Sequence, residues 1–215
     1  MKKHLIETLL EWPYPYIRDS DFAILLNKTE NARYSFIKRA THEGLLTHLC
    51  RGHYLIKYRY HQNPVDAFQL AQFIYGPSYI SLESALSFHG WIPEAVQTTT
   101  SVVAKRSKEF LTPLGSFSYK HTPLHKFFME VQRYSPTKSC CYLIANPWKA
   151  IADYIYTTHK EWNNAQELSE DLRIDMELMS QSDKSSLEQI ISTYSNQRTK
   201  NILQRLLQTL PPRNS

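Results

Sequence analysis

Residues Arg18 to Lys57 read RDSDFAILLNKTENARYSFIKRATHEGLLTHLCRGHYLIK, and the division of the whole chain follows from them. Asp19 and Ser20 carry short oxygen-bearing side chains, which predict the cap of a helix over Asp21 to Leu26 because they accept from first-turn amides. Asn27-Lys28-Thr29 interrupts the apolar pattern, Glu30 or Asn31 opens a second helix, and Gly44 is suited to end it. Leu45 to Cys50 and His53 to Lys57 read as two short strands joined at Arg51-Gly52, where glycine supplies the positive φ of a tight hairpin turn. Short helix, polar turn, longer basic helix and two-stranded ribbon is the order of a winged helix-turn-helix.

Along the second helix Phe36, Ile37 and Ala40 share one face at helical spacing. Asn31, Ser35, Lys38 and His42 lie opposite, with Tyr34 and Arg39 at the margins and Arg33 turned inward. A helix seated in a major groove needs such an outside, since amides, hydroxyls and cations reach base edges and phosphates. The candidate DNA contacts are therefore Asn31, Tyr34, Ser35, Lys38, Arg39 and, at the tip of the ribbon, Arg51. Between Lys28 and Arg59 seven Lys and Arg stand against two Glu, a net +5 that equals the formal excess of the entire chain. A solvated surface helix followed by an unrelated hairpin is the bland alternative, and it is the ordered set of features that favours the winged helix.

At 215 residues the chain has room for two small domains, here expected over 1–60 and 61–215. With 42% apolar and 21% charged residues it has the composition of an ordinary globular protein. A sequence pI near 9.0 favours an anionic partner. No run approaches the ~20 apolar residues of a membrane span, and Met1-Lys2-Lys3 leads into an amphipathic stretch with Glu7 and Glu11, so a cytoplasmic protein is expected. Three cysteines, two of them adjacent as Cys140-Cys141, give neither a disulfide framework nor metal-ligand spacing.

In chain order, Lys3 to Glu11 places Leu5, Ile6, Leu9 and Leu10 at helical spacing and stops at Trp12-Pro13. Tyr58 to Asn63 reads as a connector, and Asn63-Pro64 as a cap plus N1 proline for a helix to about Phe73. Ser81 begins a helix carrying Leu82, Ala85, Leu86 and His89 on one face, where His89 reads as a hydrogen-bonded core histidine. β texture follows over Thr99 to Ala104, Leu114 to His121, Phe127 to Tyr134 and Ser139 to Ala145. Lys105, Arg106 and Lys108 lie between the first two strands, either as a solvated loop or as additional phosphate contacts. Asn146-Pro147 opens a further helix, and two more are expected near Ser186 to Tyr194 and Arg198 to Leu210. The fold class is thus α+β, a winged helix-turn-helix followed by a mixed α/β domain with a small sheet covered by helices.

Enzyme chemistry finds little support. Five glycines in 215 residues leave little scope for a phosphate loop. The nine histidines are scattered, with His42, His48 and His53 expected on a helix, a strand and a turn. Ser84 has no oriented base nearby in sequence. No enzyme activity, catalytic residue, metal or organic cofactor is expected.

Three blocks behind the winged helix, GPSYISLESALSFHGWIPE (Gly76 to Glu94), TTTSVVAKRSKEFLTPLGSFSY (Thr98 to Tyr119) and LIANPWKAIADYIY (Leu143 to Tyr156), resemble the AbiEi-type antitoxins, transcriptional regulators of abortive-infection (type IV toxin-antitoxin) systems. The resemblance runs roughly from Asp19 to Tyr156 and includes Pro147-Trp148-Lys149-Ala150, which fits a P-x-K-A element of that family; the last helices depart from it. It implies an N-terminal domain that binds duplex DNA and represses its own operon. It also implies a C-terminal domain that counteracts a nucleotidyltransferase-like toxin without requiring direct contact. The alternative reading is a protein-binding adaptor with a structural winged helix and no toxin partner.

Overall fold

The computed structural model describes residues 2–57, 65–123 and 126–212, and the chain divides into two compact units, 1–70 with 110–114 and 71–109 with 115–215. The connector expected over Tyr58 to Asn63 lies outside the described residues, and the helix expected to start at Asn63-Pro64 begins instead at Ala67, because Asp66 caps it. The protein is a mixed α+β structure with helices and a mixed sheet.

In the first unit the order is α1 (Lys2–Glu11), β1 (Tyr16–Arg18), α2 (Asp19–Leu26), α3 (Glu30–His42), β2 (Leu46–Cys50) and β3 (His53–Ile56). The three strands form an antiparallel sheet in the order β1-β3-β2. Leu5 and Leu9 of α1, Ile17 of β1, Phe22 of α2, Phe36, Ile37 and Ala40 of α3, and Leu46 and Ile56 of the hairpin bury one common core. Each large apolar side chain contributes about 1.5–3 kcal/mol on burial, which is why a set spread over six elements holds short segments together. Strand β1 has no counterpart in the sequence reading, because three residues are too few to show alternation.

One expected cap is corrected. Asp19 and Ser20 do not precede α2 but form its first turn, and the Asp21 carboxylate accepts from the Arg18 amide at 2.8 Å. The competing interaction is sheet pairing: the Asp19 amide donates to the Gly52 carbonyl at 2.9 Å, so β1 runs straight into the helix. Asn27 closes α2 in the left-handed region (φ 45°), with its amide donating to Ala23 O.

The second unit contains α4 (Ala67–Ile74, begun in the first), β4 (Ser78–Ile80), α5 (Leu82–Phe88), β5 (Thr98–Val103), β6 (Lys108–Thr112, its last three residues grouped with the first), β7 (Gly115–His121), β8 (Val131–Thr137), β9 (Cys140–Ala145) and α6 (Pro147–Thr158). It continues through α7 (Ala165–Leu172), α8 (Met176–Gln181), α9 (Lys184–Thr193) and α10 (Gln197–Thr209). Its sheet has six strands in the order β6-β7-β5-β4-β9-β8, with β4–β9 and β5–β7 parallel and β4–β5 and β8–β9 antiparallel. The sequence reading contains only four of these strands. Ser78, Tyr79 and Ile80 of β4 are all buried, so no alternation marks them. The strand expected over Phe127 to Tyr134 starts only at Val131, because 126–130 forms a turn with positive φ at Lys126 and Glu130.

Helix starts follow local capping chemistry. Asp66 Oδ1 accepts from the Phe68 amide at 2.8 Å, and Asn146 Oδ1 from the Lys149 amide at 2.7 Å, the latter with Pro147 at the first helical position as expected. Asn164 and Asp175 cap α7 and α8, two short helices in a stretch read from sequence only as polar.

Candidate nucleic-acid interface

Helix α3 presents the face its sequence implies. Phe36, Ile37 and Ala40 are buried in the first-unit core, whereas Asn31, Tyr34, Ser35, Lys38 and Arg39 are exposed, and Arg33 is half-buried. Tyr34 is 68% exposed, far more than a tyrosine used for packing. Arg39 lies back along the helix, its Nε donating to Ser35 O at 3.2 Å. At the hairpin turn Arg51 is exposed, and Gly52 takes φ 75°. The His53 ring contacts the Arg51 carbonyl through Nδ1 at 2.9 Å, which fixes the turn on its strand side.

Two rings of the hairpin, His48 and Tyr54, were not among the expected contacts and pack on each other. A bulge between His48 and Cys50 makes His48, not Leu49, the partner of Tyr54, and the two rings meet edge to face at 5.5 Å. Tyr54 also packs edge-on against the core ring of Phe22 at 6.0 Å. Burial, then the nearby Asp19 carboxylate and Tyr34 phenol, push the Tyr54 phenol above its ordinary pKa, so it remains a hydrogen-bond donor. No sequence signal marks the bulge, which is decided by the pairing of β2 with β3.

In the second unit the structure brings Lys105 and Lys108 together. Their ammonium groups lie 5.5 and 5.3 Å from the centroid of the Tyr75 ring, and Lys105 Nζ donates to Gly76 O at 2.7 Å. Tyr75 donates to the Arg106 carbonyl at 3.2 Å, and Arg106 is exposed.

A different polar assembly is buried beneath the second unit's surface. Asp153 is wholly enclosed; its Oδ2 accepts from Tyr79 and Ser81, each at 2.8 Å, and its Oδ1 from Lys149 at 2.8 Å and Tyr194 at 2.7 Å. Lys149 Nζ also lies over the Tyr79 and Tyr194 rings, at 5.5 and 5.0 Å. Burial, followed by the Asp153 charge, holds both phenols well above the usual tyrosine range. Lys149 is thus the ion-pair partner of an internal carboxylate. The spacing of Lys149 and Asp153 on α6 is legible in sequence, but such pairs are mostly surface pairs.

The remaining chemistry-bearing residues are engaged in structure. Ser84 Oγ accepts from the Thr100 amide at 2.8 Å, while the Ser84 amide donates to Thr100 Oγ1 at 3.0 Å, stitching α5 to β5. His89 stands just past α5 with Nε2 2.9 Å from Ala145 O, and burial lowers its pKa. Cys50, Cys140 and Cys141 are not joined in disulfides, and Cys141 Sγ accepts from Arg133 Nε at 2.9 Å. Among the described residues no group of three or more His, Cys, Asp or Glu is placed to hold a metal ion, and no helix is long and apolar enough to cross a membrane. No family model matches the chain, and no curated protein matches it.

Proposed function

We propose that the protein is a DNA-binding transcriptional regulator, an autorepressor whose first unit works as a winged helix-turn-helix. The observation that carries this reading is the exposed row Asn31, Tyr34, Ser35, Lys38 and Arg39 on a helix whose opposite face is locked into the core, beside a hairpin with Arg51 at its turn. Lys38, Arg39 and Arg51 supply phosphate attraction; Asn31 and Ser35 supply uncharged groups able to read base edges. Lys105, Arg106 and Lys108 are candidates for extending the footprint.

For the second unit we propose the role of a type IV antitoxin module that counteracts a nucleotidyltransferase-like toxin. This half rests on the resemblance of its three sequence blocks to AbiEi-type antitoxins. The test has two arms. A duplex carrying the DNA upstream of the protein's own gene should be retarded in preference to unrelated duplex, and the full chain should restore growth to cells expressing the product of an adjacent gene. Retardation without rescue retains the regulator and discards the antitoxin; association with a protein and no retardation supports the adaptor instead.

A further inference from the structure

In the second unit the end of α8 and the start of α9 meet the start of α6 and strand β8 around a pocket of about 350 Å³. That volume lies in the range of pockets that enclose a small ligand or a large side chain. Trp91 and Trp148 line it, and their rings meet edge to face at 5.1 Å. The Trp148 indole N–H donates to Ser182 Oγ at 3.0 Å, which fixes the aromatic wall. Leu178, 37% exposed, adds apolar surface, and Gln132 of β8 and Asp183 are among the exposed polar residues that face the pocket.

The charge here is negative and unbalanced. Asp183 caps α9, its Oδ1 accepting from the Ser185 amide at 2.9 Å. Ser186 Oγ, also on the pocket wall, lies 3.3 Å from Asp183 Oδ2 and 2.9 Å from Glu130 Oε2. Two carboxylates thus converge on one hydroxyl, which has a single hydrogen to donate. Among the described residues neither Glu130 nor Asp183 forms an ion pair, and no lysine or arginine lines the pocket. Lys184, next to Asp183 in sequence, donates instead to the Pro211 carbonyl at 3.3 Å. In a chain of formal net charge +5, two neighbouring carboxylates without a cation are complementary to a positively charged ligand.

We propose that this pocket takes the guanidinium of an arginine carried on an extended segment of a partner protein. A guanidinium offers a planar fork of N–H donors to carboxylates and packs against indole rings, and the pocket holds both kinds of group. A metal ion is a poorer match, since among the described residues no group of three or more His, Cys, Asp or Glu is placed to hold one. A protein segment is favoured over a free small molecule by the wall at Gln132. That wall belongs to β8, which ends the strand order of the sheet and pairs on one side only among the described strands. An extended chain can pair along such an edge while one of its side chains enters the pocket. The inference does not depend on the DNA-binding reading.

The experiment is an NMR titration of the isotope-labelled full chain, read at the indole N–H signals of its four tryptophans. The probes are the end-blocked peptide Thr-Val-Arg-Val-Thr, the same peptide with citrulline in place of arginine, and end-blocked arginine alone. The arginine peptide should move the Trp148 signal saturably and leave that of Trp12 in place. Citrulline keeps the shape and removes the charge, so its peptide should bind about tenfold more weakly; blocked arginine, which has no strand to pair, should also bind more weakly than the arginine peptide. Asp183→Asn retains a side chain able to cap α9 and should weaken the arginine peptide about tenfold. Glu130→Gln should weaken it about threefold, and both variants should unfold at the unaltered temperature. Equal affinity for the arginine and citrulline peptides, a comparison that needs no variant, overturns the proposal, as does unaltered affinity in Asp183→Asn. Blocked arginine that binds as tightly as the peptide overturns the protein partner. A Trp148 signal that no probe moves overturns the pocket. Duplex retardation is a separate measurement, and none of these outcomes bears on it.

Discussion

The carboxylate of Asp153 sits inside the second unit with donors from Tyr79, Ser81, Lys149 and Tyr194 on its two oxygens, whereas the side chains of Asn31, Ser35 and Lys38 stand exposed on α3 and bond to no described residue. Both regions are rich in polar groups, and both lie on amphipathic helices. They differ in what completes the hydrogen bonding. Around Asp153 the protein supplies four donors to the two carboxylate oxygens, so the cluster ties β4, α6 and the end of α9 together. On α3 no described residue supplies them, and under the proposed function nucleic acid would do so. A polar cluster therefore points to binding in proportion to what it leaves unpaired.

The largest expected effect breaks the saturated side of this comparison. Asp153→Ala strands the buried Lys149 ammonium and three hydroxyl donors, and should lower unfolding free energy by about 3–5 kcal/mol, read as a reduced midpoint in a urea titration followed by circular dichroism. A loss under about 1 kcal/mol would show that the cluster is hydrated or loosely held. Next comes Tyr194→Phe, which removes one of the four donors and should cost about 1–3 kcal/mol in the same titration.

Alkaline titration sharpens the same point without a mutation. The phenols of Tyr79 and Tyr194 are held above the ordinary value of 10.0 by burial and by Asp153, so the unfolded chain ionises first. Their contribution is fully present below pH 10.0 and is lost as pH rises from there towards the folded values, at about 1.4 kcal/mol per pH unit for each phenol. Ultraviolet absorbance should show two tyrosines ionising only with unfolding; normal titration of all fourteen would contradict the enclosure.

On α3 the expectation reverses, with small effects on stability and clear effects on binding. Lys38→Ala and Arg51→Ala should each leave stability within about 0.5 kcal/mol. Each phosphate contact removed should reduce the salt slope of duplex affinity by about 0.9, measured by anisotropy over a salt series. Wild-type slopes in both variants would move the interface elsewhere. Asn31→Ala should be the subtlest: affinity for unrelated duplex nearly unchanged, and discrimination for the preferred duplex reduced by about 1–3 kcal/mol if the amide reads a base pair.

Legibility followed the range of the interactions. Leu5, Leu9, Phe36, Ile37 and Ala40 were readable as core because helical periodicity is a local record of which face meets apolar partners, and they are buried as read. Gly44, Gly52 and the Asn146-Pro147 start were readable because turn and cap geometry is decided within a few residues. β1 and β4 were not, since each is three residues long and exists through pairing with distant partners: β1 with β3, and β4 with β5 and β9. The polar stretch that contains α7 and α8 was missed for a related reason, as these helices bury Leu168 and Met179 on faces too short to establish a period.

By itself the sequence determined the exposed row on α3, from Asn31 to Arg39, and the positive excess around it, because a 3.6-residue period and a count of charges need no tertiary information. Only the tertiary structure decided which polar groups were used up. The bulge that turns His48 rather than Leu49 towards Tyr54 is a register choice made by the sheet. The convergence of Tyr79, Ser81, Lys149, Asp153 and Tyr194 joins residues up to 115 positions apart in sequence, through bonds that no local period records.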